Sequence, residues 1–347
     1  MVDETTLFPL LPSDEGNTST FATLSCTLFP ENPSQCDVIV AVKRGMAALS
    51  LIGSVFMIGV IWLFRKYSAF TQRLILYLSI AALLDSIAYL MGEIHPDGAL
   101  CDFQAFWLNM FDWVILMWIM CVTFNLFMNA VRMVSTDRFE WAYHLLSWGF
   151  PLFISCLPFI DNKYGPAGLW CWIEDDWRWR FGIWYGPNFG IIALMFITYL
   201  YIVITVNRKV KTWEGLYDPD IERQKLLLKE DVKPLRAYPF VYLSLSIFPL
   251  VNRIQNAINP HNPVFPLVLL HAMSTPLQGA INAVVFGLDK ETTSKLTPTQ
   301  IKVALQSRNE PNVIREYPVA FRSREPSPPP QEIQFPKFNN VSYSRLQ

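Results

Sequence analysis

Residues Phe103–Val131 read FQAFWLNMFDWVILMWIMCVTFNLFMNAV, and Asp112 is the single charge in the run. A helix needs about 20 mostly apolar residues to cross a bilayer, with a range of about 17–25. This run is long enough, and it is apolar all round rather than along one stripe, so it reads as a membrane span. Runs with few or no charges recur at Gly45–Phe64, Leu74–Gly92, Trp141–Ile160, Phe181–Asn207, Ala237–Asn252 and Val264–Leu288. Ala237–Asn252 is short, but Arg236 and Arg253 at its ends snorkel outward and lengthen it. The composition agrees, with 52% hydrophobic and 16% charged residues, against about a quarter charged in soluble domains. The expectation is an all-α membrane protein, a bundle of seven transmembrane helices.

Basic residues set the orientation. With the N-terminus outside and the C-terminus cytoplasmic, only Lys43, Arg44, Lys163, Arg178, Arg180 and Arg253 of the 28 Lys and Arg fall outside. That is the positive-inside asymmetry, and the short Arg65–Arg73 loop carries its clearest vote. The start MVDETTLFPLLPSDEG is acidic where a cleavable signal would be basic, so the first helix is expected to act as its own insertion signal. The expected divisions are an outer tail at 1–44, the bundle at 45–288 and a largely disordered cytoplasmic tail at 289–347. Asn17-Thr18-Ser19 is a glycosylation sequon in the outer tail, which makes Asn17 the expected acceptor.

Between the fourth and fifth spans lies GLWCWIEDDWRWRFGIWYGPNFG, Gly168–Gly190, with five tryptophans and three adjacent acids. Tryptophan gathers at membrane interfaces, but this density around Cys171 reads as a folded lid over an outer cavity. Cys101, at the outer start of the third helix, and Cys171 face an oxidising compartment and are expected to pair. Cys26 and Cys36 then pair within the tail, while Cys121 and Cys156 lie in helices as small hydrophobes. Arg178 and Arg180 are expected beside Glu174, Asp175 or Asp176.

Ionisable and amide side chains inside spans mark function. Asp85 lies mid-way along the second helix. Asn109 and Asp112 are one turn apart on the third, and Asn125, Asn129 and Arg132 share a face further along it. His271, Gln278 and Asn282 lie on the seventh. Asp85, Asn125, Asn129, Gln278 and Asn282 are read as an intramembrane polar switch. Prolines 151, 158, 187, 239, 249, 266 and 276 kink the later helices, as expected of a bundle that switches between two packings. The loop Arg208–Arg236 reads as a helical extension suited to a cytosolic partner, and TPTQIKVALQSR as a short surface helix after Thr297. The tail beyond it is rich in Ser and Thr, with Ser327 before Pro328, a target for phosphorylation.

Other classes fit less well. A transporter or channel of a small solute is the alternative, but no convincing repeat relates the two halves. An opsin-like sensor needs a lysine in the seventh helix, and Val264–Leu288 has none. No nucleophile motif, phosphate loop or metal spacing stands out, so neither enzyme activity nor a metal or cofactor is expected. The net charge of −1 gives no reason to expect a nucleic-acid partner.

Three stretches carry a family resemblance. GLWCWIEDDWRWRFGIWYGPN resembles the second outer loop and fifth-helix entry of the slime-mould cyclic-AMP chemoattractant receptors. YPFVYLSLSIFPLVNRIQNAINP, Tyr238–Pro260, is similar to their sixth helix and third outer loop. LHAMSTPLQGAINAVVFG, Leu270–Gly287, is similar to their seventh, with Leu277, Gln278, Gly279 and Asn282 matching. The resemblance implies a seven-helix G-protein-coupled receptor of the plasma membrane. Its partners would be an extracellular ligand, a heterotrimeric G protein and the lipid bilayer, with a kinase and an arrestin at the tail. The Asp-Arg-Tyr triplet of rhodopsin-like receptors is absent from FNLFMNAVRM, and Arg132 is expected to supply its cation.

The same resemblance makes a cyclic nucleotide one candidate for the ligand, whose identity the sequence leaves open. Its phosphate would look to Arg178, Arg180 or Arg253, although the three acids beside the first two oppose an anion. Asn109, Asp112, Trp172, Asn188 and His271 complete the expected pocket. At the other end, Arg132, Arg138, Arg208, Lys209 and Lys211 are expected to border the G-protein cleft, which opens when the inner ends of helices five and six move apart.

Overall fold

The computed structural model describes residues 28–29, 31–91, 97–174, 176–213, 219, 221–222, 225, 232–233, 235–259 and 262–309. Asn17, Cys26, Asp175, the Leu226–Leu228 stretch and Ser327 lie outside them. Seven long helical segments form the bundle: α1 Ser34–Leu63, α2 Phe70–Met91, α3 Ala99–Arg132, α4 Asp137–Phe159, α5 Trp177–Thr212, α6 Ala237–Ile258 and a broken α7. The halves of α7, Phe265–Ser274 and Gln278–Leu288, meet at 52° around Pro276. Among the described residues, five helices are long and apolar enough to cross a membrane, and α7 taken as one bent span makes six. α6 has the length of a span at 22 residues. It is less apolar because Asn252, Arg253, Gln255 and Asn256 crowd its last turns.

α1 begins at Ser34, not Gly45, so Lys43 and Arg44 belong to the helix rather than to an outer tail. Charges hide this start from a hydropathy reading. Spacing reveals it: Cys36, Ile39, Lys43, Ala47 and Ser50 recur every three or four residues on one buried face. Further along, Gly53 and Ser54 continue that face and meet Gly279 and Ala283 of α7. Small residues there let the two backbones approach closely, the usual device of helix pairs in lipid.

The prolines of α4 and α5 come with widened turns. Leu145–Gly149 and Arg180–Tyr185 are π-helical, and each contains the carbonyl four residues before Pro151 or Pro187. A wider turn relieves the clash that a proline ring makes with that carbonyl. After α7, α8 (Lys290–Lys295) and α9 (Pro298–Asn309) follow. Arg308 of α9 stands over the Trp62 ring at 4.2 Å and donates to the Trp62 carbonyl, which ties α9 to the end of α1.

At the end where α1 finishes and α2 begins, Arg73 Nε and Nη2 each reach a different Glu140 oxygen at 2.7 Å, and Tyr77 donates to the same carboxylate at 2.8 Å. This two-pronged bond joins α2 to α4. It is partly exposed, so Glu140→Gln should cost about 1–2 kcal/mol. A thermal midpoint unchanged from wild type in the purified protein would contradict that.

Candidate functional site

At the opposite end of the bundle a hairpin covers the helices. β1 Tyr164–Pro166 pairs antiparallel with β2 Cys171–Ile173, with Gly165 opposite Trp172. Gly168 takes φ +91° in the turn, a backbone conformation that suits glycine. Cys171 is bonded to Cys101 of α3, and its backbone N–H donates to Gln104 Oε1 at 3.1 Å. The strand is therefore fastened to α3 by a covalent and a polar contact one turn apart. Cys36 is also disulfide-bonded; its expected partner, Cys26, lies outside the described residues. Cys121 is free and buried, Cys156 free and exposed.

Under the hairpin lies a cavity of about 120 Å³ between α1, α2, α3, α5, α6 and α7. Its walls are aromatic near the lid: Trp170 and Trp172 from the loop, Trp184, Tyr185 and Phe189 from α5, Tyr242 from α6. Trp172 packs edge-on to Trp184 at 6.0 Å, and Arg253 stands over the Trp172 and Tyr185 rings at 5.0 and 5.7 Å. Lys43 stands over the Trp170 ring at 4.0 Å and the Tyr89 ring at 4.9 Å. Such ring faces attract cations, more strongly where water is excluded. Tyr89 donates to Asp112 Oδ1 at 3.0 Å, and Asn252 Nδ2 meets His271 Nδ1 at 2.9 Å. Asp85 and Gln278 line the floor.

Of the expected pocket residues, Asp112, Trp172, Asn188, Arg253 and His271 meet in this cavity. Asn109 does not. It faces α4 and β1, donating to Ser155 Oγ and Tyr164 Oη at 3.1 Å each. The three-residue step from Asn109 to Asp112 is thus enough to address different neighbours. Arg178 and Arg180 are also elsewhere. Arg178 is exposed beside Trp177, and the Arg180 Nε donates to the Ile173 carbonyl at 3.0 Å. Of the three acids expected beside them, Asp175 lies outside the described residues, and the Asp176 side chain takes Lys163 at 3.2 Å and the Arg178 backbone N–H at 3.1 Å. Desolvation raises the Asp176 pKa, but those two donors outweigh it and hold the carboxyl below its usual range. This contact's stabilisation is present at neutral pH and is lost as pH falls through that lowered pKa.

Sequence reading missed Lys43, Tyr89, Trp170 and Asn252. Lys43 was legible in the spacing of α1; the others depend on contacts between helices.

The polar switch residues divide between two places. Gln278 Nε2 donates to Asn282 Oδ1 at 3.3 Å, close to Asp85 and the cavity floor. Asn125 lies at the far end of α3, where its Oδ1 accepts from Thr136 Oγ1 at 2.7 Å and from Asn129 at 3.4 Å. Tyr143 donates to the same Thr136 at 2.9 Å, which pins the α3–α4 link. Beside it, Lys209 Nζ donates to the Ala130 and Val131 carbonyls at 3.0 Å each. These carbonyls end α3 in the π-helical turn Met128–Arg132. Arg132, Arg138, Arg208 and Lys211 are exposed around this end.

A helical membrane bundle with a disulfide-tethered lid over a polar cavity at one end, and a basic rim at the other, has the build of a receptor. Residues 34–295 match the family model of the slime mold cyclic AMP receptor, and the chain belongs to that family. It is 30% identical over 246 residues to cyclic AMP receptor-like protein A of Dictyostelium discoideum, covering 70% of this chain and 62% of the relative. It is 23% identical over 256 residues to G-protein coupled receptor 1 of Arabidopsis thaliana, covering 73% and 78%. Over 262 residues it is 26% identical to G-protein coupled receptor 157 of Homo sapiens, covering 70% and 77%. The match thus spans less than two thirds of the Dictyostelium relative's length. The family is one of multi-pass receptors of the plasma membrane, which disfavours a transporter.

Proposed function

We propose that this chain is a G-protein-coupled receptor that takes an extracellular small molecule in the lidded cavity and signals to a heterotrimeric G protein at the basic end. The lid faces outside and the basic end faces the cytoplasm. The observation that carries this reading is the pairing of a buried polar cavity under a tethered lid with an α3–α5 lock at the opposite end. Ligand binding draws on α3, α5, α6 and α7 together, so it can favour one packing of these helices over another. In the packing described here, Lys209 holds α5 against the last carbonyls of α3. Moving the inner ends of α5 and α6 outward breaks those two hydrogen bonds and opens a cleft beside Arg132, which is already exposed.

The relatives' names raise a cyclic nucleotide as ligand. For its phosphate the cavity offers Lys43 and Arg253. Its volume of about 120 Å³ is below the roughly 300–1,000 Å³ of drug-sized ligand pockets, so a nucleotide needs the lid displaced. Phosphorylation of the Ser- and Thr-rich tail by a kinase, with arrestin following, is the proposed means of shutting signalling off.

The test is G-protein activation in cells, with and without cyclic AMP. Arg132→Ala should lower activation by tenfold or more, about 1.4 kcal/mol of coupling, at unchanged surface expression. Wild-type signalling in that variant would remove Arg132 from the coupling surface.

A further inference from the structure

We infer that the cavity takes a small amphoteric molecule, with its acidic group held by Lys43 and an N–H or O–H donor held by Asp85. This rests on the receptor reading above and names the ligand class of the same site. Lys43 is 1% exposed and Asp85 3%. Among the described residues, Lys43 Nζ and Asp85 Oδ1 have no hydrogen-bond partner. Both residues line the cavity. Other acid and base groups there are engaged: Asp112 Oδ1 takes the Tyr89 hydroxyl, His271 takes Asn252, and Arg253 stands over the Trp172 and Tyr185 rings. An ammonium and a carboxylate oxygen buried without hydrogen-bond partners are costly, even where ring faces lie against the ammonium. A ligand that satisfies both recovers that cost.

Spacing sets the shape of such a ligand. Lys43 lies against the Tyr89 ring, and Asp85 is one helical turn before Tyr89 on α2, about 6 Å of rise. An acidic group near the lid and a donor about one turn deeper is the layout of a small amino acid. Charge agrees. Lys43, Arg253, Asp85 and Asp112 all line the cavity, two basic and two acidic side chains whose formal charges cancel with His271 neutral. A net anion or cation would unbalance this set in a low-dielectric site, whereas a zwitterion leaves it neutral. Size agrees too: about 120 Å³ has room for several waters or one compact solute.

The test uses the full-length receptor purified into lipid nanodiscs. Its thermal midpoint is measured with the protein amino acids, β-alanine and taurine, and with three comparators at equal concentration. Betaine has the acid but no N–H donor, succinate has acids and no donor, and cyclic AMP is a net anion. At least one small zwitterion should raise the midpoint by several degrees, with betaine and succinate raising it far less. Lys43→Gln and Asp85→Asn, which keep the side-chain volume nearly constant, should each weaken that zwitterion's apparent affinity tenfold or more. If either variant fails to fold, the discrimination against betaine in the wild-type protein decides alone.

Stabilisation by cyclic AMP or succinate but by no zwitterion would overturn the inference, as would equal stabilisation by betaine or unchanged affinity in both variants. G-protein nucleotide exchange is recorded on the same samples to separate the two readings. A zwitterion that binds through Lys43 and never alters exchange leaves the site standing and removes the coupling. Exchange driven by cyclic AMP with no zwitterion bound does the reverse.

Discussion

Gly279→Val should leave little receptor at the cell surface. A Cβ at Gly279 would overlap Ser50 Oγ, lie 2.5 Å from Ser54 Oγ and lie 3.0 Å from the Ser50 carbonyl oxygen. The hydroxyls can rotate away. The carbonyl cannot, because it belongs to the α1 backbone. Across the same interface a Cβ added at Gly53 would lie 3.0 Å from the Gly279 carbonyl oxygen and 2.9 Å from the Ala283 Cβ. A side chain at Gly279 therefore has to push α1 and α7 apart, and the cavity residues Lys43 and His271 separate with them. Overpacking a fitted interior costs about 1–3 kcal/mol and sometimes more; a branched side chain against backbone belongs at or above the top of that range. That is a large share of a total stability of about 5–15 kcal/mol. Gly279→Ala should give an intermediate loss. Normal surface level and thermal midpoint in Gly279→Val would mean that α1 and α7 do not pack through these small residues.

Cys101→Ser should cost about as much by a different route. The bond to Cys171 spans a sequence separation of 70 residues, and a closed loop of that length contributes about 4 kcal/mol in the chain-entropy model. Its loss frees the strand that carries Trp172, which is 5% exposed and touches Arg253, Trp184 and Tyr185. The lid then loosens over the cavity, so both stability and ligand response should fall. Cys171→Ser and the double variant should match Cys101→Ser closely, because all three remove one bond and the effects cannot add. Cys121→Ser and Cys156→Ser should be near neutral by comparison. Additive losses in the double variant, measured as thermal midpoints in detergent, would mean that the cysteines act separately.

The long spans were legible because lipid imposes one rule, apolar side chains on every face, and α2 to α5 obey it. The ends were harder. At α1, Lys43 and Arg44 interrupt the apolar run, yet the three-and-four spacing from Cys36 to Ser50 continues through them. A reading by spacing instead of charge would have begun the helix there and placed Lys43 inside the bundle. The disulfide was legible from compartment and position. The cavity was legible only in part. Asp112 and His271 stand out as polar groups in apolar runs, but which way they face depends on helix rotation, as Asn109 shows by turning to α4. The directions of Arg178 and Arg180 were illegible for a related reason: at the start of α5 they point along the lid, toward Trp177 and the Ile173 carbonyl. Thr136 and Tyr143 had no signal at all, since the chain from Tyr143 through Thr136 to Asn125 exists only after α4 folds back along α3.

Sidedness carries the whole functional reading, and single-cysteine labelling tests it without a ligand. In a Cys156→Ser background, Trp177→Cys places a thiol on the lid, where Trp177 is 71% exposed, and Arg138→Cys places one at the basic end. Intact cells are treated with a membrane-impermeant maleimide and compared with permeabilised cells. The expected result is labelling at 177 in intact cells and at 138 only after permeabilisation. Labelling at 138 in intact cells, or at both positions alike, would contradict a lid that faces outside and a basic end that meets the G protein.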